Sequence, residues 1–125
     1  MLNKNETPGS TAYQHRRAEH HSAMQTCWTC SYECKKTLYT HCLALGGEHV
    51  AEQHVKAMTD CIQICQITAD FLARESELHA GLCMACAEIC DSCAQSCKAI
   101  GDTVMTRLAE ICTECAQSCR ETAQM

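Results

Sequence analysis

Residues 83–100 read Cys83-Met-Ala-Cys86-Ala-Glu-Ile-Cys90-Asp-Ser-Cys93-Ala-Gln-Ser-Cys97-Lys-Ala-Ile100. The cysteines recur at intervals of three and four residues. That period matches the 3.6-residue turn of an α-helix and puts every cysteine on one face. A strand would need alternation with period two, and the stretch shows none. Much of the rest of the segment is Ala, Glu, Gln, Lys and Met, which are good helix formers.

The pattern extends outward in both directions. Residues 111–120 read Ile111-Cys112-Thr-Glu-Cys115-Ala-Gln-Ser-Cys119-Arg120 and share Cys-Ala-Gln-Ser-Cys with the first segment. The shared unit suggests duplication of a helix. Upstream lie Cys27, Cys30, Cys34 and Cys42, then Cys61 and Cys65. The apolar face continues through Met24, Leu38 and Leu45; Val50, His54, Met58 and Leu72; His79 and Ile100; and Val104 and Leu108. The cysteines therefore occupy the face that points inward.

Boundary signals divide the chain into four helices, near 11–45, 49–74, 77–100 and 103–123. Gly46-Gly47 and Gly101 suit left-handed helix ends. Ser76 is expected to cap the third helix, and Asp102 or Thr103 the fourth. The connections are short, so the expected fold is all-α, an antiparallel up-down-up-down four-helix bundle with a cysteine-lined core. Residues 1–16 are expected to be a flexible polar segment, and residues 17–125 the bundle.

The chain has 125 residues, 14 of them cysteine, and a formal net charge of -5. That size suits one domain. The acidic balance argues against nucleic acid as a partner. No stretch approaches the roughly 20 apolar residues of a membrane span, so a membrane is not an expected partner. The first residues lack an apolar secretory segment, which points to the cytosol. There, thiols are kept reduced, so so many cysteines read as metal ligands rather than a disulfide framework.

Soft thiolates in rows favour Cu(I), which needs no tetrahedral ligand set. The Cys-x-x-x-Cys pairs Cys30/Cys34, Cys61/Cys65, Cys86/Cys90, Cys93/Cys97 and Cys115/Cys119 could each hold an ion between neighbouring turns. One Cu(I) per thiolate leaves the interior neutral, whereas Zn(II) on four thiolates leaves negative charge and needs converging ligands. The metal set is thus Cys27, Cys30, Cys34, Cys42, Cys61, Cys65, Cys83, Cys86, Cys90, Cys93, Cys97, Cys112, Cys115 and Cys119. Cys42 stands apart from the others. Up to about one Cu(I) per cysteine is expected. His20, His21, Met24 and His79, with Met84 nearby, gather at one bundle end as a possible port; His41, His54, Met58 and Met105 gather at the other. His15, His20 and His21 also fit a merely solvated segment. Met58 and Met105 also fit core filler, and His41, His49 and His54 fit ordinary surface or boundary positions.

Other classes fit less well. The redox Cys-x-x-Cys belongs in a βαβ setting, and the iron–sulfur run ending in Cys-Pro is absent. No acid/base pair, nucleophile elbow or phosphate loop points to an enzyme. A Zn(II) or general thiolate heavy-metal buffer is the chief alternative, with an iron–sulfur carrier behind it.

The repeated Cys-x-x-x-Cys and the Cys-Ala-Gln-Ser-Cys-Arg tail resemble the bacterial copper storage proteins over roughly residues 20–123. The resemblance implies a four-helix bundle assembled as a homotetramer, many Cu(I) ions on core cysteines, and a mouth lined by Met or His. A copper chaperone is a possible delivery partner. Arg16-Arg17 is followed by no apolar segment, so the chain resembles the cytosolic branch rather than the exported one with its twin-arginine signal.

Overall fold

A computed structural model describes residues 7–125. Four long helices follow one another: α1 (Thr11–Thr37), α2 (Glu52–Ala73), α3 (His79–Ile100) and α4 (Thr103–Ala123). No strand occurs among the described residues. Sequential helices pack as neighbours, and α1 closes the ring against α4. This is the expected four-helix bundle. Residues 1–6 of the expected polar leader lie outside the described residues, and α1 begins at Thr11, where Ser10 Oγ accepts from Tyr13 N–H at 3.1 Å.

The punctuation residues act largely as their chemistry dictates. Gly101 ends α3 in the left-handed conformation, at φ 81°. Asp102 then caps α4, its carboxylate accepting from Met105 N–H at 2.8 Å. Gly46 sits at φ 67°, ψ -154°, a region open in practice only to glycine.

The boundaries differ from expectation in three places. The third helix starts at His79 rather than 77, because Ser76 turns its hydroxyl to Leu78 N–H at 3.1 Å and builds a turn before the helix. The second starts at Glu52, because Gly47–Val50 form a 3₁₀ turn. The first is not a uniform α-helix to residue 45. Its regular part ends at Thr37, Leu38–Cys42 form a π-helical turn, and Leu43–Leu45 resume the α form.

That π turn has a clear consequence. In a regular α-helix the eight residues from Cys34 to Cys42 carry a side chain about 80° beyond two full turns. The wider turn, marked by Leu43 N–H bonding back to Leu38 O, removes part of that excess and returns Cys42 to the interior. Leu45 and Val104, assigned to the inward face by spacing, are exposed instead.

All fourteen cysteines are free, and each is fully buried. Large aliphatic residues are few among the buried ones: Leu38, Ile62, Leu72 and Leu108. Ala87 and Ala94 on α3, and Ala109 and Ala116 on α4, lie beside the cysteines and are also buried. Small side chains on both helices let the backbones approach closely, so sulfurs from opposite walls meet along the axis. Between helices, Ser31 Oγ donates to Ile62 O at 2.9 Å, and Arg120 pairs with Asp91.

Candidate metal centre

The sulfurs form one continuous column. The closest approaches join different helices: Cys27 to Cys119 and Cys65 to Cys90, both at 3.5 Å. Cys61 reaches Cys90 at 3.7 Å and Cys30 at 3.8 Å, and Cys34 reaches Cys112 at 3.7 Å. Within α3, Cys86 and Cys90 stand 3.8 Å apart. With a metal–sulfur bond of ~2.3 Å, two sulfurs on one tetrahedral ion lie ~3.8 Å apart. The spacing in the column is thus close to that of sulfurs sharing one ion.

Packing also builds something that spacing along single helices did not reveal. Three groups of four sulfurs converge, each with all its sulfurs within 4.8 Å of one another: Cys27, Cys86, Cys115, Cys119; Cys30, Cys34, Cys61, Cys112; and Cys30, Cys65, Cys90, Cys115. Rows on straight helices suggested no isolated tetrahedra, and packing adds the convergence: each set draws on three or four helices. The sets are not independent, however. Cys30 and Cys115 each belong to two of them, so ten sulfurs serve where three separate tetrahedra need twelve. Sharing of this kind describes a fused cluster. Cys83, Cys93 and Cys97 extend the column, their thiols set against those of Cys119, Cys112 and Cys93 respectively.

The electrostatics follow from this crowding. Cys61 is held below the ordinary thiol range by hydrogen bonds from Cys112, Cys30 and Cys34. Cys115 is lowered likewise by Cys119, Cys27 and Cys30. Their neighbours are pushed up: Cys34 chiefly by Cys112, Cys65 by Cys115, and Cys119 by Cys115. One ionised sulfur among neutral donors is the stable arrangement, since several buried thiolates without a cation are too costly to desolvate.

At one end of the column stand His20 and His79, with ring centroids 4.4 Å apart. Both are buried. Both ring nitrogens of His20, and Nε2 of His79, have no hydrogen-bond partner among the described residues. His79 Nδ1 bonds Ser76 O at 2.9 Å. Burial, with His79 adding to it, lowers the His20 pKa to about 4, so its imidazole is neutral near pH 7. A cleft of about 120 Å³ reaches His20 past Arg17, His21, Met24 and Glu75. His20 and His79 are thus brought together, Met24 is half-buried beside them, and His21 and Met84 are exposed.

The opposite end holds a site for which helical spacing gathered His54, Met58 and Met105 but not Cys42. Cys42 Sγ lies 3.8 Å from His54 Nε2, 3.9 Å from Met105 Sδ and 4.0 Å from Met58 Sδ. All four residues are buried, so Cys42 does not stand apart and His54 is not a surface histidine. His54 Nδ1 meets Ser96 Oγ at 2.7 Å, which directs Nε2 at the sulfur. Burial lowers the His54 pKa and raises the Cys42 thiol to about 11. The available signal was the helical spacing of His54, Met58 and Cys61, which placed them on one face. The π turn that brings Cys42 to them has no such signal.

Among the described residues, no helix is long and apolar enough to cross a membrane. The chain resembles Nmul_A1745 of Nitrosospira multiformis, with a TM-score of 0.81 and 34% identity, over 86% of this chain and 96% of that one. It also shares its fold with the Cu(I)-bound copper storage protein BsCsp3 of Bacillus subtilis: TM-score 0.77, 24% identity, 84% of this chain and 98% of that one. A cysteine-rich protein of Bacillus subtilis (strain 168), YhjQ, is 24% identical over 76 residues, which is 61% of this chain and 69% of that protein. The sequence profile of the copper storage proteins matches residues 16–124. A buried column of free thiols inside a four-helix bundle, joined to a profile match over nearly the whole chain, places this protein in the copper storage protein family.

Proposed function

We propose that the chain stores many Cu(I) ions on its core cysteines, from Cys27 to Cys119, with up to about one ion per sulfur. The observation that carries this reading is the shared membership of Cys30 and Cys115 in adjoining four-sulfur groups. Monovalent ions of low coordination number can bridge shared sulfurs and leave the column neutral. Isolated Zn(II) tetrahedra would need separate ligand sets and would each leave negative charge behind. The Cu(I)-bound form of BsCsp3, which has the same fold, supports this choice of metal.

His20 and His79 form the proposed port, with His21 and Met24 at its rim. The neutral His20 imidazole and the unpartnered Nε2 of His79 give a passing Cu(I) ion ligands weaker than thiolate, which favours transfer inward. The role is storage rather than catalysis. The site of action is the cytosol, whose reducing conditions maintain the free thiols seen here. Assembly as a homotetramer, and loading by a copper chaperone, belong to the same proposal. The exposed, stacked Trp28 and Tyr32 on α1 support a self-contact.

The test is anaerobic titration of the reduced protein with Cu(I) against a Cu(I)-specific chelator. Uptake tight enough to strip the chelator and approaching one ion per cysteine is expected. Saturation at a few ions, or displacement of Cu(I) by Zn(II), would overturn the reading. For the port, His20→Ala with His79→Ala should slow loading without reducing final capacity.

A further inference from the structure

A second cluster of metal-ligating side chains lies outside the cysteine column. His41 sits on the π-helical turn, His49 on the 3₁₀ turn, and Asp102 at the cap of α4. Three segments far apart in sequence thus deliver their polar atoms to one point. His41 Nε2 is 3.1 Å, and His49 Nε2 2.6 Å, from the same oxygen, Asp102 Oδ2. The other carboxylate oxygen is engaged by Met105 N–H at 2.8 Å, which fixes the direction of Oδ2. The three ligand atoms lie within 4.8 Å of one another, and all three residues are half-buried.

The donor set differs in kind from the column. It offers two imidazole nitrogens and a carboxylate oxygen, with no sulfur. Such a set suits borderline divalent ions and is a poor match for Cu(I). The rings meet edge-on, at 80° with centroids 5.2 Å apart, so their nitrogens converge rather than stack. A groove of about 410 Å³ between α1 and α4 reaches His41 and gives an ion and its waters an approach.

We propose that His41, His49 and Asp102 form a surface site for one divalent transition-metal ion of the Zn(II) class, separate from the Cu(I) store. The competing arrangement is a helix cap bridged by two histidines. The two differ in where protons sit. Hydrogen bonding to Oδ2 puts the ring proton on Nε2 of both histidines. Metal binding requires both Nε2 lone pairs and moves the proton to Nδ1.

Histidine-labelled full-length protein, titrated with Zn(II) and followed by imidazole ¹⁵N NMR, separates them. Because the readout is specific to each ring, Zn(II) on cysteines does not obscure it. Repeating the titration on protein saturated with Cu(I) removes that competition where loading occurs; the metal-free sample decides the matter whether or not Cu(I) loads. The expected result is a joint, saturable shift of His41 and His49 Nε2, with the proton found on Nδ1. Asp102→Asn keeps a good cap and replaces the anionic ligand with a neutral amide, so it should weaken Zn(II) by at least about tenfold, which is what losing even an outer-shell partner costs. His49→Gln should abolish the joint shift. Nε2 signals unmoved by excess Zn(II), or a shift that survives both substitutions unweakened, would overturn the proposal.

Discussion

The sulfurs of Cys27 and Cys119, the first and last cysteines of the chain, lie 3.5 Å apart although they are 92 positions apart in sequence. They seal α1 against α4 and close the column on itself. Cys115 reaches Cys27 at 3.8 Å from the next turn, and its sulfur also belongs to the neighbouring four-sulfur group.

Sulfurs shared between groups should therefore cost more capacity than sulfurs at the margin. Cys115→Ser is expected to lower the number of Cu(I) ions bound by about two, whereas Cys83→Ser lowers it by about one, because a bridging ligand serves more than one ion. Stoichiometry by chelator-competed titration measures the difference. Equal losses would mean that the ions do not share sulfurs.

At the far end, Met58→Leu with Met105→Leu keeps volume nearly unchanged, so each should cost under about 1.5 kcal/mol of stability. If the thioethers flank an ion held by Cys42 and His54, the double variant should release the last ion loaded at that end while leaving the other sites filled. X-ray absorption of the loaded protein would show the change in sulfur count. An unchanged spectrum and capacity would leave the two methionines as core filler alone.

The metal-free protein should lose stability as pH falls from about 6.5 toward about 4. His20 has its pKa lowered to about 4, chiefly by burial. Between those limits the unfolded imidazole binds a proton that the folded one refuses, so protons favour unfolding. Above the upper limit the contribution is flat. His54 is lowered by burial too and adds to the same slope. The depressed Asp102, held down by Met105 N–H and His49, acts only below the ordinary carboxylate range. Urea midpoints at pH 7 and pH 4.5 give the slope, and His20→Gln should reduce it. A variant with the wild-type slope would contradict the assignment.

Close helix approach depends on alanine. Ala116 on α4 is fully buried beside Cys115. Ala116→Leu should destabilise by about 1–3 kcal/mol through overpacking. It should also force sulfurs apart and lower Cu(I) capacity, as read by thermal melting and by titration.

Thr68 is buried, and its hydroxyl has no hydrogen-bond partner among the described residues. Thr68→Val removes the unsatisfied group with little change of shape. It should stabilise the metal-free protein by about 1 kcal/mol, the lower end of the cost of an orphaned buried polar group. A destabilised variant would reveal a partner for the hydroxyl.

By itself, the sequence determined that four helices form and that their cysteines share an inward face. Both follow from local chemistry: a period of three and four residues, glycines at left-handed positions, and Asp102 as a cap. It also carried the family resemblance, since the repeated cysteine spacing lies within single helices. Only the tertiary structure decided which sulfurs meet. Cys30 and Cys115, Cys65 and Cys90, and Cys27 and Cys119 lie on different helices, and their registers depend on packing that no one helix encodes. The π turn is the clearest case. A single widened turn, invisible in the residue pattern, returns Cys42 to His54 and the two methionines and sets His41 against His49 and Asp102. Side-chain direction along a helix follows from spacing alone; the relative rotation and height of helices follow from how small cores close around them.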